Sequence, residues 1–230
     1  MQSLKKYIFH PNILLSLTFA AMMAALALVF VYVPTEKTMG VVQRIFYFHV
    51  PLAWVCFLAY AVVFVCSLLY LRQRDTRWDR LAHSSAEIGI IFTTLVLIAG
   101  TIWAKAAWGS WWTWDARLTT TLILWFIYFA YLLVRAYATE ESRGARYAAV
   151  IGIMGFIDVP IVALSIILWR TSHPGPLIFE GGLTSSMKLT LMVCILAFTL
   201  LYVYLLVNSN SIRRALDEVK SLKHFVDGRN

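Results

Sequence analysis

An all-α integral membrane protein, with six transmembrane helices in one bundle and both termini cytoplasmic, is the fold class this chain predicts. Three observations carry it. Of its 230 residues 60% are hydrophobic and only 14% charged, more apolar surface than a soluble domain of this size can cover. The apolar residues fall into blocks of about 20, the length a helix needs to cross roughly 30 Å of hydrocarbon. The gaps between blocks alternate between rich and poor in Lys and Arg, which sets orientation.

Six spans are expected at 13–33, 51–71, 86–106, 118–138, 148–168 and 188–207. The first follows Lys5 and Lys6 and runs for about 21 residues without a small-residue cleavage site, so it reads as a retained span rather than a removed signal peptide. The second opens at Pro51, and the third follows a gap holding Arg72, Arg74, Arg77 and Arg80. A tryptophan-rich loop at about 104–119 leads into the fourth. The fifth carries Asp158 two residues before Pro160, and the sixth follows Pro174-Gly175-Pro176. Residues 1–207 thus read as one six-span domain and 208–230 as a polar cytoplasmic tail. In that tail Ile212, Leu216, Val219 and Leu222 recur near helical spacing, which suits a helix lying on the membrane surface or against a partner.

The net charge of +8 would suit a nucleic-acid partner, but in a membrane chain the positive-inside bias accounts for it. Fourteen Lys and Arg fall in the N-terminus, the second and fourth gaps and the tail, against six elsewhere. Loops one, three and five therefore face outward. His49 and His173 lie on that outer side, and His10, His83 and His224 on the inner side. Cys56, Cys66 and Cys194 all sit in apolar blocks with no CxxC or CxxCH, so thiol redox chemistry, zinc and covalent haem attachment are unsupported. The chain has no P-loop and no GxGxxG.

The outer loop Trp108-Gly109-Ser110-Trp111-Trp112-Thr113-Trp114-Asp115 holds four of the nine tryptophans, with Trp103 just upstream. Indole is costly to leave in water and carries a donor N–H, so an interfacial position suits one or two of them. If the loop is helical, Trp108, Trp111, Trp112 and Asp115 share a face and Trp114 points away. Two readings stay open. In one, the tryptophans are an aromatic belt and Asp115 caps the fourth span. In the other, they are a platform for a planar apolar ligand outside the hydrocarbon. Haem fits, having an apolar edge for indole and propionates that want donors.

Two imidazoles on opposite faces of a haem give six-coordinate iron, held without an open position. His49 and His173 flank the tryptophan loop and are the candidate ligands; the alternative is that His49 snorkels at the start of span two and His173 is an ordinary loop residue. Arg44 and Arg117 either pair with propionates, since guanidinium binds carboxylate through two hydrogen bonds, or face headgroups and solvent. Asp158 is expensive in hydrocarbon and is either a functional group or part of a polar kink at Pro160. Glu87 lies close enough to the cytoplasmic end of span three to reach water.

The tryptophan loop and its continuation Ala116-Arg117-Leu118-Thr119 resemble the WWD signature of the haem-handling proteins of cytochrome c maturation, most closely the six-span CcmC type. Tyr47-Phe48-His49-Val50-Pro51 and Trp169-Arg170-Thr171-Ser172-His173 are similar to that family's two haem-ligand neighbourhoods; the second match is looser, because Pro174-Gly175-Pro176 follows. The resemblance covers the whole chain. It implies a non-enzymatic protein of the bacterial inner membrane that holds haem b non-covalently at the periplasmic face. His49 and His173 would be the axial ligands of the haem iron. Trp108, Trp111, Trp112, Trp114, Asp115, Arg44 and Arg117 would complete the site. It further implies presentation of the haem to the chaperone CcmE, alongside the ATP-binding cassette proteins CcmA and CcmB and the small protein CcmD. ATP hydrolysis would come from those partners. A haem permease is the main alternative, with Asp158 as its one clear polar group at depth. A membrane haem enzyme, of the cytochrome b or cytochrome c synthetase kind, is the other; a cytochrome b would place its histidines within helices, not at their outer ends.

Overall fold

A computed structural model describes residues 11–169, 173 and 182–227. Lys5, Lys6, His10, Arg170-Thr171-Ser172, Pro174-Gly175-Pro176 and Arg229 lie outside the described residues, as does the side chain of His224. Among the described residues six segments are long and apolar enough to cross a membrane: Asn12–Tyr32, Val41–Gln73, Thr76–Trp108, Ala116–Tyr137, Glu141–Leu168 and Ser185–Asp227. Each overlaps one expected span. Extended pairing among them is limited to an isolated bridge between Glu36 and Gly40. The chain is the all-α membrane bundle that its hydropathy predicts.

Most helices outrun their hydropathy blocks, because polar residues propagate a helix until a cap stops it. Helix α1 (Pro11–Ala27) ends in a π-helical turn, Leu28–Tyr32. Helix α2 (Phe46–Gln73) is led by a 3-10 turn over Val41–Ile45 and stops where Arg74 turns left-handed at φ 57°. Asp75 then caps α3 (Thr76–Trp108), its carboxylate accepting from the Arg77 amide at 2.9 Å. Gly109, at φ 75°, closes α3 and returns its N–H to the Lys105 carbonyl. Helix α4 covers Ala116–Tyr137.

The fifth span is two helices, α5 (Glu141–Gly155) and α6 (Asp158–Leu168), interrupted at Phe156-Ile157. Pro160 lacks the N–H that would reach the Phe156 carbonyl, and Val159 donates to it instead at 3.2 Å. The polar kink expected at Asp158 and Pro160 therefore falls just ahead of both. Helix α7 (Ser185–Asp227) has 43 residues, about 65 Å of helix.

Helices α2 and α3 form the central pair, with α1 and α7 on one side and α4, α5 and α6 on the other. Lipid offers no hydrophobic drive between helices, so close backbone approach and buried hydrogen bonds take its place. Helix α5 buries Gly144, Ala145, Ala148, Ala149, Gly152 and Gly155, and Val63 and Tyr131 press on its backbone at Gly152. Tyr60 lies over Gly89, where a Cβ would stand 2.6 Å from its ring, and stacks on Tyr128 with centroids 3.5 Å apart. The Tyr60 hydroxyl and the Cys56 thiol meet at the Thr93 hydroxyl, at 2.7 and 3.0 Å. Cys56 is thus a small buried group with one weak hydrogen bond.

Charge closes the bundle at the far end. Arg135, in the last turn of α4, forks onto both carboxylate oxygens of Asp79 in the first turn of α3. The two side chains are only 10% and 14% exposed. Past Asn208 helix α7 continues unbroken, and Arg213, Asp217 and Lys220 pair with Glu87, Arg80 and Glu141. The segment after the sixth span therefore lays its charged side on α3 and α5, leaving Ile212, Leu216 and Val219 exposed.

Candidate functional site

The site forms at the opposite end, where α2, α3 and α4 meet the loop Gly109–Asp115. His49 lies in the first turn of α2. Helix α2 begins before Pro51, so the histidine expected ahead of the span belongs to it, with the proline in the second turn. Its ring is 9% exposed and stands edge-on to Trp103 at 5.8 Å. From α3, Gly100 leaves it room: a Cβ there would come within 3.1 Å of His49 Cε1. Burial without a partner is costly for a polar atom. Both His49 Nδ1 and the Trp103 indole nitrogen are buried with no hydrogen-bond partner among the described residues.

The His173 ring faces this one, with centroids 6.4 Å apart and planes inclined by 38°. A metal–imidazole bond of about 2 Å, plus about 1.1 Å from nitrogen to ring centre, separates two axial rings by about 6.2 Å. The two rings are thus far enough apart to leave room for one iron between them. Between and beside them opens a narrow cleft of about 50 Å³. Trp103, Trp108, Gly100, Asp115 and Arg117 line it, with Cys56, Phe57 and Val162 among its apolar walls. This lining fits haem: two imidazoles, indole and alkyl surface, and one guanidinium, with the Asp115 carboxylate engaged as a helix cap and the Cys56 thiol bonded to Thr93. Among the described residues no group of three His, Cys, Asp or Glu is placed to hold a bare metal ion.

The loop itself is not helical, so Trp108, Trp111, Trp112 and Asp115 do not align by helical period. Trp108 is the last residue of α3 and lines the cleft. Gly109 turns the chain, after which Trp111 and Trp114 point outward, 58% and 70% exposed. Trp112 is half-buried and meets Trp114 edge-on at 5.4 Å. Trp114 sits at φ 53°, a left-handed conformation costing a non-glycine residue roughly 1–2 kcal/mol. The Thr119 hydroxyl, donating to the Trp114 carbonyl at 3.2 Å, helps hold it. Asp115 accepts the Leu118 amide at 3.0 Å as the cap of α4 and also lines the cleft. Cap and site residue are thus one side chain.

Of the nine candidate residues, the cleft brings together His49, His173, Trp108, Asp115 and Arg117. Trp111, Trp112 and Trp114 are not among its lining residues, and Arg44 lies over the Phe30 ring at 5.7 Å. Trp103 and Gly100 belong to the cleft though neither is in the WWD run. Their signal is the spacing Gly100, Trp103, Ala104, Trp108 on one helical face, meaningful only once α3 is known to reach Trp108.

Residues 4–223 match the family described as Heme exporter protein C. A Heme exporter protein C of Bradyrhizobium diazoefficiens is 38% identical over 175 residues, covering 75% of this chain and 66% of that one. A protein of the same description from Haemophilus influenzae is 32% identical over 177 residues, 76% of this chain and 72% of that one. The one from Escherichia coli strain K12 is 31% identical over 172 residues, with 75% and 70% covered. The chain spans about two thirds of the length of the first of these relatives.

Proposed function

This chain belongs to the Heme exporter protein C family, and from that premise we propose that it holds haem b non-covalently between His49 and His173 and presents it to the chaperone CcmE for cytochrome c maturation. The observation that carries the reading is the 6.4 Å ring spacing across a cleft walled by Trp103 and Trp108. Haem supplies an iron that accepts both imidazoles and a flat apolar face. The chain supplies the rest. Gly100 and Trp103 fix the His49 ring, Arg117 offers a guanidinium for a propionate, and the unpartnered Trp103 N–H offers a donor. Two axial imidazoles leave no open coordination position, which suits carriage and not catalysis.

In this reading the protein sits in the bacterial inner membrane with this end outside, an orientation that the charge split supports. Trp111 and Trp114, exposed beside the cleft, are then the docking edge for the chaperone. CcmA and CcmB supply ATP hydrolysis, and CcmD completes the complex. When the haem-loaded protein is mixed with apo-CcmE, haem is expected to move to the chaperone. Trp111→Ala with Trp114→Ala is expected to slow that transfer about tenfold or more while leaving the haem spectrum intact. Unchanged transfer would rule out this edge.

Gly100→Val is a second check that leaves both histidines in the sequence. Its side chain enters space held by the His49 ring, so haem occupancy should fall and the iron should lose six-coordination in the absorption spectrum. A spectrum identical to the parent's would show that His49 is not held against α3 as described.

One observation favours a permease contribution. Asp158 is 9% exposed with its Oδ2 unpartnered, one helical turn from cleft-lining Val162 on the same face of α6. Haem reaching the outer site in cells lacking CcmA and CcmB would assign passage to this chain as well.

A further inference from the structure

At the end of the bundle remote from the cleft, the first turns of α3 and the middle of α7 border a groove of about 320 Å³. Arg77, Trp78, Arg80, Leu81, Asn210 and Arg214 line it. Its depth follows from the chain: α2 ends at Gln73, α3 begins at Thr76, and the apolar run of α7 stops at Val207. The groove thus lies where hydrocarbon gives way to headgroups. Three guanidinia surround an indole and a leucine.

Each guanidinium has a carboxylate neighbour: Arg77 has Asp75, Arg80 has Asp217 at 3.1 Å, and Arg214 has Glu218 at 2.9 Å. These pairs orient the forks without saturating them, because an arginine carries five N–H donors. Arg214 reaches Glu218 through Nε, and the Nε of Arg80 is buried with no partner. The surroundings remain positive. Residues 72–80 and 210–218 hold six arginines and four acids, and among the described residues neither Arg72 nor Arg74 forms an ion pair.

We propose that this groove binds the phosphate of an anionic phospholipid. Guanidinia suit a phosphate through planar, paired donors. A free phosphate would need only those. Trp78 and Leu81 add an apolar wall at the boundary depth, which a lipid uses and a soluble anion does not. Arg80 also reaches Asp217, so a bound headgroup braces the joint between α3 and the extension of α7.

The test uses the purified full-length protein in micelles containing equal amounts of phosphatidylglycerol and phosphatidylcholine, with retained lipid read by native mass spectrometry. Phosphatidylglycerol should be retained preferentially. Arg77→Gln with Arg214→Gln, two side chains 76% and 71% exposed, should lower that retention about 25-fold, roughly fivefold per arginine. Phosphatidylcholine retention and the haem spectrum should not change. The matching Arg→Lys pair keeps the charge without the paired donors and should keep part of the preference, more than the Gln pair does, which separates lost charge from a misfolded chain. Equal retention of both lipids, or a Gln pair that retains phosphatidylglycerol like the parent, would overturn the proposal. So would displacement of the lipid by millimolar inorganic phosphate, which would assign the groove to a soluble anion.

Discussion

Replacing His49 and His173 together with glycine is expected to strip the six-coordinate haem spectrum from the purified protein, and free imidazole is expected to restore it in part. The reasoning is structural. The two rings face each other 6.4 Å apart, and of the other groups lining the cleft the Cys56 thiol is bonded to Thr93 and the Asp115 carboxylate caps α4, so neither stands ready to replace an imidazole on iron. Even the outer-shell partners of metal ligands are worth about 10–100-fold in affinity, so losing both ligands should cost more than the upper end of that range. Each glycine leaves space that an imidazole from solution can enter. Either single variant should keep some haem with an altered, five-coordinate or mixed spectrum. If the double variant retains an unaltered spectrum, the ligand assignment is wrong.

The second large effect lies far from the cleft. Asp79→Asn leaves the Arg135 guanidinium nearly buried and without its counter-charge, and removing one partner of a buried pair typically costs about 3–5 kcal/mol. Thermal unfolding in detergent should show the drop. The bidentate geometry makes the loss specific, because Arg135 ties the end of α4 to the first turn of α3. Replacing both partners by apolar residues, Asp79→Leu with Arg135→Met, should recover most of the stability, since no buried charge is then stranded. The folded fraction of either variant should bind haem as the parent does. A single variant as stable as the parent would mean that solvent already screens the pair.

The six spans were legible because hydropathy over about 20 residues reports the hydrocarbon directly. Helix ends were not. They depend on single capping residues, such as Asp75, Gly109 and the left-handed Arg74, which leave little mark on a hydropathy average. That uncertainty mattered most at His49. A span read as starting at Pro51 leaves it in a loop, whereas the real helix begins at Phe46 and holds its ring against α3.

The WWD loop was visible as composition, and its conformation was not. A left-handed Trp114 is unfavourable locally and exists only because the surrounding loop enforces it. Hence the shared face through Trp108, Trp111 and Trp112, which holds only if the loop is helical, does not form. Arg44 lies five residues before His49, yet it lies over Phe30; proximity in sequence says little about direction at a 3-10 to α junction. Trp103 and Gly100 went unassigned because their contribution depends on packing against α2. The histidine pairing across 124 positions came from topology, and the structure adds the spacing between the rings.

The central claim is that two imidazoles of this chain hold one haem, and the absorption spectrum of the purified protein, recorded before and after reduction, tests it most directly. Non-covalent haem b with a six-coordinate spectrum is expected in the parent, and its loss when both His49 and His173 are replaced by glycine. A five-coordinate parent spectrum, or a six-coordinate spectrum that survives the double replacement, would contradict it.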